Sequence, residues 1–243
     1  MNHRLTIPLD SVDVPNESVI RLVPRQLDAV FGSVLIPGQI SLLHGPERAP
    51  LTMLAHAVAV AAVKSGGKSI FLDSSNNYSP RIARALCKSS AFPERVLKRI
   101  TVGQVMSLRD LEDFAKQVAD LTDVTVVVLD SLTGVLNLTG APGSKGRQRK
   151  LFAALDVLRN FVNTNHVHLL MTDHSTKKRS TGKPSPIGGN IVIHGVDSLV
   201  RVDRLDVMAN AVRLLVERSP VSPPPGGVVV RISANGIKSI AAR

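Results

Sequence analysis

The chain has 243 residues, of which 44% are hydrophobic, and this supplies the core of one large α/β domain. Its formal net charge of +11 indicates a polyanionic partner, with nucleic acid as the first candidate, although a basic, solvated surface explains the same charge. Aromatic residues make up only 3% of the chain, which excludes a surface of many stacked rings for single-stranded nucleic acid.

Cysteine usage and hydropathy predict a cytoplasmic protein. The single cysteine, Cys87, cannot form an intramolecular disulfide or a cysteine-based metal site, which is typical of a reducing compartment. The first 18 residues carry acids and a proline where a signal peptide needs an apolar stretch. The longest apolar run, residues 53–63, is interrupted by His56 and is too short to span a bilayer. We expect no membrane partner.

The order of elements predicts an α/β fold with a mostly parallel central sheet flanked by helices. We expect residues 1–20 to form a short N-terminal arm and residues 21–243 to form one core domain. From Gln39 onward, apolar strand-like segments alternate with helical segments, which is typical of βαβ units. Residues 111–121 and 151–162 repeat apolar side chains at helical spacing and predict covering helices.

Three predicted strands end in aspartate, at Asp73, Asp130 and Asp173. Their mostly continuous apolar runs predict strands that are covered on both faces of the sheet. Because ligands of open α/β sheets bind beyond the carboxyl ends of the strands, we expect the three acids to share one functional edge. After residue 190 the pattern changes to short strands, beginning with residues 191–196, and predicts a C-terminal antiparallel extension.

A strand, a loop and an apolar helix meet at 45-GPERAPLT-52, the context of a phosphate-binding loop. The loop keeps Gly45 and the hydroxyl of Thr52, but Pro50 replaces the second glycine and Leu51 replaces the lysine. The ammonium and one N–H group are therefore absent, and a carboxylate at residue 47 opposes a polyanion. Only Arg48 favours phosphate. An ordinary strand-to-helix turn remains the alternative interpretation.

Two segments after central strands carry only positive charge. Such segments can follow a phosphate backbone without reading base edges, which predicts weak sequence preference and steep salt dependence. The alternatives are solvated loops or an acidic protein partner. The candidate DNA-binding residues are Lys145, Arg147, Arg149 and Lys150 in segment 140–150, and Lys177, Lys178, Arg179 and Lys183 in segment 174–189.

The order and spacing of several motifs resemble the RecA/RadA recombinase superfamily, and more specifically the short archaeal RadA paralogues of the RadC/KaiC-like group. The resemblance covers residues 21–237. It rests on Leu27 and Asp28 with FGSVLIPGQISLLHGP, on VTVVVLDSLTGV, on the pair Arg147 and Gln148, on 188-GGNIVIH-194, and on RSPVSPPPGGVVVRISANGI.

The resemblance implies a RecA-like P-loop NTPase fold in which the two basic segments line a DNA path. It also implies a degenerate nucleotide site formed by Gly45, Arg48, Thr52, Asp130 and Ser131. In that site Mg²⁺ would bind through Thr52 and Asp130 only together with nucleotide, so ATP and Mg²⁺ are possible cofactors and neither is a certain one.

Three departures from the recombinase pattern accompany the missing lysine. Ser75 occupies the position of the water-positioning glutamate, and Asp173 and His174 occupy the positions of an asparagine–glutamine pair. The resemblance therefore implies no catalytic residues for hydrolysis by the family mechanism, because phosphoryl transfer depends on placed charges and a placed water.

These observations predict a pseudo-ATPase that binds single- or double-stranded DNA and assists homologous recombination and repair. Its protein partner would be a RadA-type recombinase or further copies of itself. Two alternatives stay open. One is a weakly active, DNA-dependent ATPase in which Arg48 replaces the lysine, and the other is a structural subunit of a hetero-oligomer with an active recombinase.

Overall fold

The computed structural model describes residues 20–88, 90–118, 122–136, 144–177, 182, 184–205, 208–221 and 226–240. The predicted N-terminal arm lies almost wholly outside these residues. The helices are α1 Arg25–Phe31, α2 Leu51–Lys64, α3 Pro80–Leu86, α4 Pro93–Leu97, α5 Leu108–Gln117, α6 Leu132–Leu136, α7 Lys145–Asn165 and α8 Gly189–Gly195. The strands are β1 Ile40–Gly45, β2 Lys68–Asp73, β3 Ile100–Gln104, β4 Val124–Asp130, β5 His168–Lys177, β6 Pro184–Pro186, β7 Ser198–Arg204, β8 Ala211–Arg218, β9 Val228–Ser233 and β10 Gly236–Ser239.

One sheet organises the described part of the chain, with the strand order β10-β9-β8-β7-β1-β5-β4-β2-β3 and β6 paired with β5. The neighbours from β7 to β3 are parallel, whereas β7, β8, β9 and β10 pair antiparallel. The α/β fold class and the C-terminal antiparallel extension are therefore confirmed. The parallel order brings the carboxyl ends of β1, β2, β4 and β5 to one edge.

Apolar layers cover both faces of the sheet, which is why its central strands are continuously apolar. Leu43, Phe71 and Val128 face the layer that contains α1–α4, and their neighbours Leu42 and Leu129 face the layer that contains α5–α7. Helix α2 is buried around nearly its whole circumference, as expected for a helix inside a core. No helix among the described residues is both long enough and apolar enough to cross a membrane.

The predicted strand at residues 191–196 is wrong, because residues 191–195 belong to α8 and Val196 is the extended residue that ends the helix. Packing overrides the β propensity of its branched residues. Val192 is fully buried, and a Cβ on Gly188 would lie 2.0 Å from its side chain. A Cβ on Gly195 would lie 2.6 Å from Leu155 of α7, so both glycines allow close packing here.

Candidate functional site

The turn between β1 and α2 is closed by its own backbone hydrogen bonds. The N–H of Ala49 donates to the carbonyl of Pro46 at 2.7 Å, and the N–H of Leu51 donates to the carbonyl of Ala49 at 2.9 Å. Pro46 and Pro50 have no N–H group. A phosphate cradle requires backbone N–H groups that point at the ligand, so these four residues contribute no donor to one.

Close packing fixes two positions of the phosphate-loop pattern in this turn, the first glycine and the lysine position. A Cβ on Gly45 would lie 2.4 Å from the carbonyl oxygen of Val202 and 2.7 Å from the Cβ of Ala49, so the close approach of the backbone requires glycine. Leu51, at the lysine position, is 4% exposed and belongs to the hydrophobic core. The side chain of Arg48 lies at the surface.

Thr52 and Asp130 do meet at this edge. The Thr52 hydroxyl donates to Oδ2 of Asp130 at 2.8 Å, and the Thr172 hydroxyl donates to Oδ1 at 2.5 Å. Asp130 is 2% exposed. The next residue, Ser131, follows through a cis peptide bond and donates its N–H to the Ser74 hydroxyl at 2.7 Å. Asp130 thus joins β4 to α2 and β5 through hydrogen bonds.

A cavity of about 230 Å³ is lined by Thr52, Asp130 and Ser131, three residues of the degenerate nucleotide site that the resemblance implies. Three carboxylates line it, and no lysine or arginine is found among its described lining residues. Nor do the described residues contain a group of three histidine, cysteine, aspartate or glutamate side chains suited to a metal ion. The residues present therefore do not fit a magnesium triphosphate. The lining residues are Glu47, Ala49, Leu51, Thr52, Asn77, Asp130, Ser131, Thr172, Asp173 and His174.

Asp73 has a structural role in the turn that follows β2. Its Oδ1 accepts the N–H groups of Ser75 at 3.1 Å and Asn77 at 2.9 Å, and its Oδ2 accepts the N–H of Tyr78 at 2.9 Å. Ser75, at the position of the water-positioning glutamate, is exposed. The three acids do lie at one edge, as predicted, but the carboxylate of Asp73 accepts three backbone N–H groups and thereby orders the turn after β2.

His56 connects helix α2 to the turn that follows β2, a link that the sequence did not predict. Its Nδ1 donates to the carbonyl of Thr52 at 2.7 Å, and its Nε2 accepts the N–H of Ser79 at 2.9 Å. The ring stacks on Tyr78 with centroids 5.0 Å apart and lies 4.8 Å from Phe71. Burial lowers the pKa of His56, against the opposing hydrogen bond to Thr52, so the ring is neutral. The only sequence signal was a histidine within an apolar helix.

Asp173 differs from the other two acids because its ionised form is poorly stabilised. The side chain is fully buried, and Oδ2 has no hydrogen-bond partner among the described residues. Oδ1 accepts the hydroxyl of Thr133 at 2.5 Å and the N–H of His174 at 2.9 Å. Burial raises the pKa of Asp173 to about 7, although these donors and the charge of Arg147 favour the ionised form.

Among the described residues of the first basic segment, those from Lys145 to Lys150 are helical, although the sequence suggested an irregular stretch there. Helix α7 begins at Lys145, so the four basic candidates lie in its first two turns. Lys145, Arg149 and Lys150 are exposed. Arg147 is half-buried and donates to the carbonyl of Ile187 at 3.0 Å, so it bridges the two basic segments instead of projecting freely.

The second basic segment begins as a strand pair, with Ser175, Thr176 and Lys177 of β5 facing β6. Its base lies at the same edge as the first segment, because β5 lies beside β4 in the parallel sheet. The other candidates, Lys178, Arg179 and Lys183, lie outside the described residues.

Comparison with known proteins assigns the chain to a family. The family model described as Rad51 matches residues 17–239. The chain belongs to the Rad51 family. The resemblance to the RecA/RadA superfamily is thereby confirmed.

Several Rad51-family and RecA relatives span most of the chain. The DNA repair and recombination protein RadB of Halobacterium salinarum is 24% identical over 89% of this chain and 93% of its own length. Protein RecA of Aquifex aeolicus is 26% identical over 90% of this chain and 66% of its own length. A crystal structure of the RadB recombinase superposes with a TM-score of 0.73 at 21% identity, covering 89% of this chain and 97% of that one, and shows the same fold.

Proposed function

We propose that this Rad51-family protein binds DNA through the two segments that follow β4 and β5, and that it acts in DNA repair and recombination without hydrolysing ATP. The observation that carries the proposal is the contrast at the sheet edge. Exposed basic side chains stand at the start of α7, whereas in the turn before α2 two prolines and two internal backbone hydrogen bonds leave four residues without an N–H for phosphate.

The DNA contact is expected to be electrostatic. Lys145, Arg149 and Lys150 expose positive charge near the N-terminus of α7, where helical N–H groups also favour phosphate. The few aromatic residues leave little base stacking to set a sequence preference. Because phosphates are common to both forms, the protein is expected to bind single- and double-stranded DNA.

Two features support the absence of hydrolysis. The cavity beside Asp130 is lined by acids without a lysine or arginine among its described residues, and Ser75 has no carboxylate with which to orient water. Arg48 does not line the cavity, so the structure gives no support to an ATPase in which Arg48 replaces the lysine. The names of the relatives support a place in DNA repair and recombination. The protein partner that we propose is a RadA-type recombinase or further copies of this chain.

Fluorescence anisotropy with labelled single- and double-stranded oligonucleotides tests the proposal. The variant Lys145→Gln/Arg149→Gln/Lys150→Gln removes three exposed charges from α7. We expect at least about tenfold weaker binding at 0.1 M salt, and a salt slope lower by about 0.7 to 0.9 for each phosphate that the variant no longer neutralises. Wild-type affinity is expected to be unchanged by ATP with Mg²⁺.

The matched control is Arg213→Gln/Arg231→Gln/Lys238→Gln, which removes three exposed charges from β8, β9 and β10, away from this edge. It should retain most of the affinity. Equal decreases in the two triple variants would show only general attraction to a basic protein and would overturn the proposed interface. A wild-type protein without measurable DNA affinity would favour the structural subunit instead, and ATP turnover would overturn the pseudo-ATPase.

A further inference from the structure

Both proposed DNA-binding segments have their ends near Asp173. We call these ends the stems of the segments, and the residues concerned are Thr133, Arg147, His174 and Gly188. Thr133, whose hydroxyl donates to Asp173, lies in α6 directly before the first segment. Arg147, whose charge favours the ionised carboxylate, lies in α7 at the end of that segment. The N–H of His174, at the start of the second segment, donates to Oδ1 at 2.9 Å, and the backbone of Gly188, at its end, also favours the ionised form. The buried carboxyl therefore accepts hydrogen bonds from Thr133 and His174, while groups on all four stems favour its ionised form.

The stems are also joined to one another around this carboxyl. The Arg147 guanidinium donates to the carbonyl of Ile187, and the N–H of Ile187 donates to the carbonyl of His174 at 2.9 Å. Beyond these bonds, β5 and β6 pair as a short antiparallel ladder. A change in the hydrogen bonding of Asp173 thus acts on groups that already hold both segments in register.

The charged and titratable groups around Asp173 come from several elements. Among the described residues, His44 of β1 is its register partner, Glu47 of the turn, Asp130 of β4 and His174 line the same cavity, and the charge of Arg147 favours its ionised form. Burial is the largest influence on the carboxyl and raises its pKa to about 7, so its charge changes within the physiological pH range. A proton can therefore alter the contacts of Asp173 without unfolding the protein.

We propose that Asp173 is a positioning residue for DNA binding, whose ionised form holds the stems of both basic segments in their binding arrangement and whose protonated form releases them. The inference rests on the proposed function. The ionised carboxylate accepts charge-assisted hydrogen bonds from Thr133, which precedes the first segment, and from His174 of the second, and these are stronger than bonds to a neutral acid. Protonation weakens these hydrogen bonds and the attraction to Arg147.

The sign of the pH effect separates positioning from simple electrostatics. If Asp173 acted only as a negative charge near phosphate, its protonation would strengthen DNA binding. Positioning predicts the reverse, with affinity falling as the pH decreases through about 7. The comparison variant must keep every other titratable group, so that a difference between the two pH profiles comes from Asp173 alone.

The test is DNA affinity from pH 5.5 to 8.5 for the wild type and for Asp173→Asn, which keeps the shape of the side chain but cannot ionise. At pH 8.5 we expect the variant to bind about fivefold more weakly or worse, a coupling of the size usual between linked sites. The difference should disappear by pH 5.5. The carboxyl ¹³C shift of Asp173, followed by NMR over the same range, should report the same midpoint.

The variant Thr133→Val provides a second measurement that a merely structural role would not change. Removing the hydroxyl takes away a donor that favours the ionised form, so the midpoint in both affinity and NMR should move to higher pH. Parallel pH profiles of the wild type and Asp173→Asn, or stronger binding on protonation, would overturn the positioning role while leaving DNA binding intact. Failure of the proposed function is a different outcome, in which the wild type binds no DNA at any pH.

Discussion

Two regions at the same edge of the sheet have opposite chemistry. The turn before α2 forms hydrogen bonds within itself, buries a leucine at the lysine position and faces a cavity lined by acids. The start of α7 exposes lysine and arginine, and its stem is joined to the second basic segment through Arg147. We infer that the edge of this Rad51-family protein no longer suits the phosphates of a nucleotide but still suits those of a polymer.

The difference also concerns what holds each region in place. Neutral hydrogen bonds and apolar contacts stabilise the turn, including the bond from His56 to Thr52 and the close approach of Gly45 to Val202. The stems of the basic segments instead depend on a buried carboxyl whose pKa lies near 7. The first region should therefore be sensitive to shape, and the second should be sensitive to protons.

The largest effect is expected from Asp173→Asn at high pH. The folded-state pKa of Asp173 lies above 3.8, so the folded protein binds this proton more tightly than the unfolded chain and loses stability as the pH rises from about 4 to about 7. The variant removes that cost, and its free energy of unfolding at pH 8 should exceed that of the wild type by at most about 4 kcal/mol.

Urea unfolding at pH 8 and at pH 5 measures this difference, which should shrink at the lower pH. Asp73→Asn is a suitable control, because that carboxylate accepts three backbone N–H groups and its replacement should destabilise the protein. Lower stability of Asp173→Asn at pH 8 would contradict the view that its ionised form is the costly one.

A smaller effect is expected from Gly45→Ala, which should destabilise the protein. Its Cβ would lie 2.4 Å from a backbone oxygen that cannot move cheaply, and overpacking of this kind costs about 2 to 3 kcal/mol. Gly146→Ala in the first turn of α7 is the matched control, since its Cβ meets nothing within 4 Å and alanine favours a helix by about 1 kcal/mol. Urea unfolding should give changes of opposite sign. Equal effects would mean that the turn is no more tightly packed than the start of α7.

Sequence reasoning succeeded where a pattern has one physical explanation. Continuous apolar strands ending in Asp73, Asp130 and Asp173 predicted a covered parallel sheet with three acids at one edge. The covered parallel sheet is observed, and β2 and β4 end at their aspartates, but β5 continues past Asp173 to Lys177. The replacement of the lysine by Leu51 could be recognised from the sequence because Gly45 and Thr52 still match the phosphate-loop pattern. Even so, only the structure shows that the turn uses its own N–H groups.

The remaining features depend on contacts between residues far apart in the chain. Nothing local distinguishes Asp73, which accepts three N–H groups, from Asp173, whose Oδ2 accepts none among the described residues. Residues 191–196 carry branched side chains typical of a strand, yet packing against α7 selects a helix. Arg147 was grouped with other cations by sequence, and its bond to Ile187 gives it a different role.

The smallest of these effects is expected from His56→Leu, which removes the ring's bond to the carbonyl of Thr52 and leaves the N–H of Ser79 without its partner. The free energy of unfolding at pH 7.5 should fall by about 2 kcal/mol. Burial lowers the pKa of His56, so the wild type should lose stability as the pH decreases below 6.5, and the variant should lack this component. Tyr78→Phe keeps the stacked ring and should change little. If His56→Leu matches the wild type at pH 7.5, the hydrogen bonds of the ring add nothing to stability, and this region depends on its backbone hydrogen bonds and apolar contacts alone.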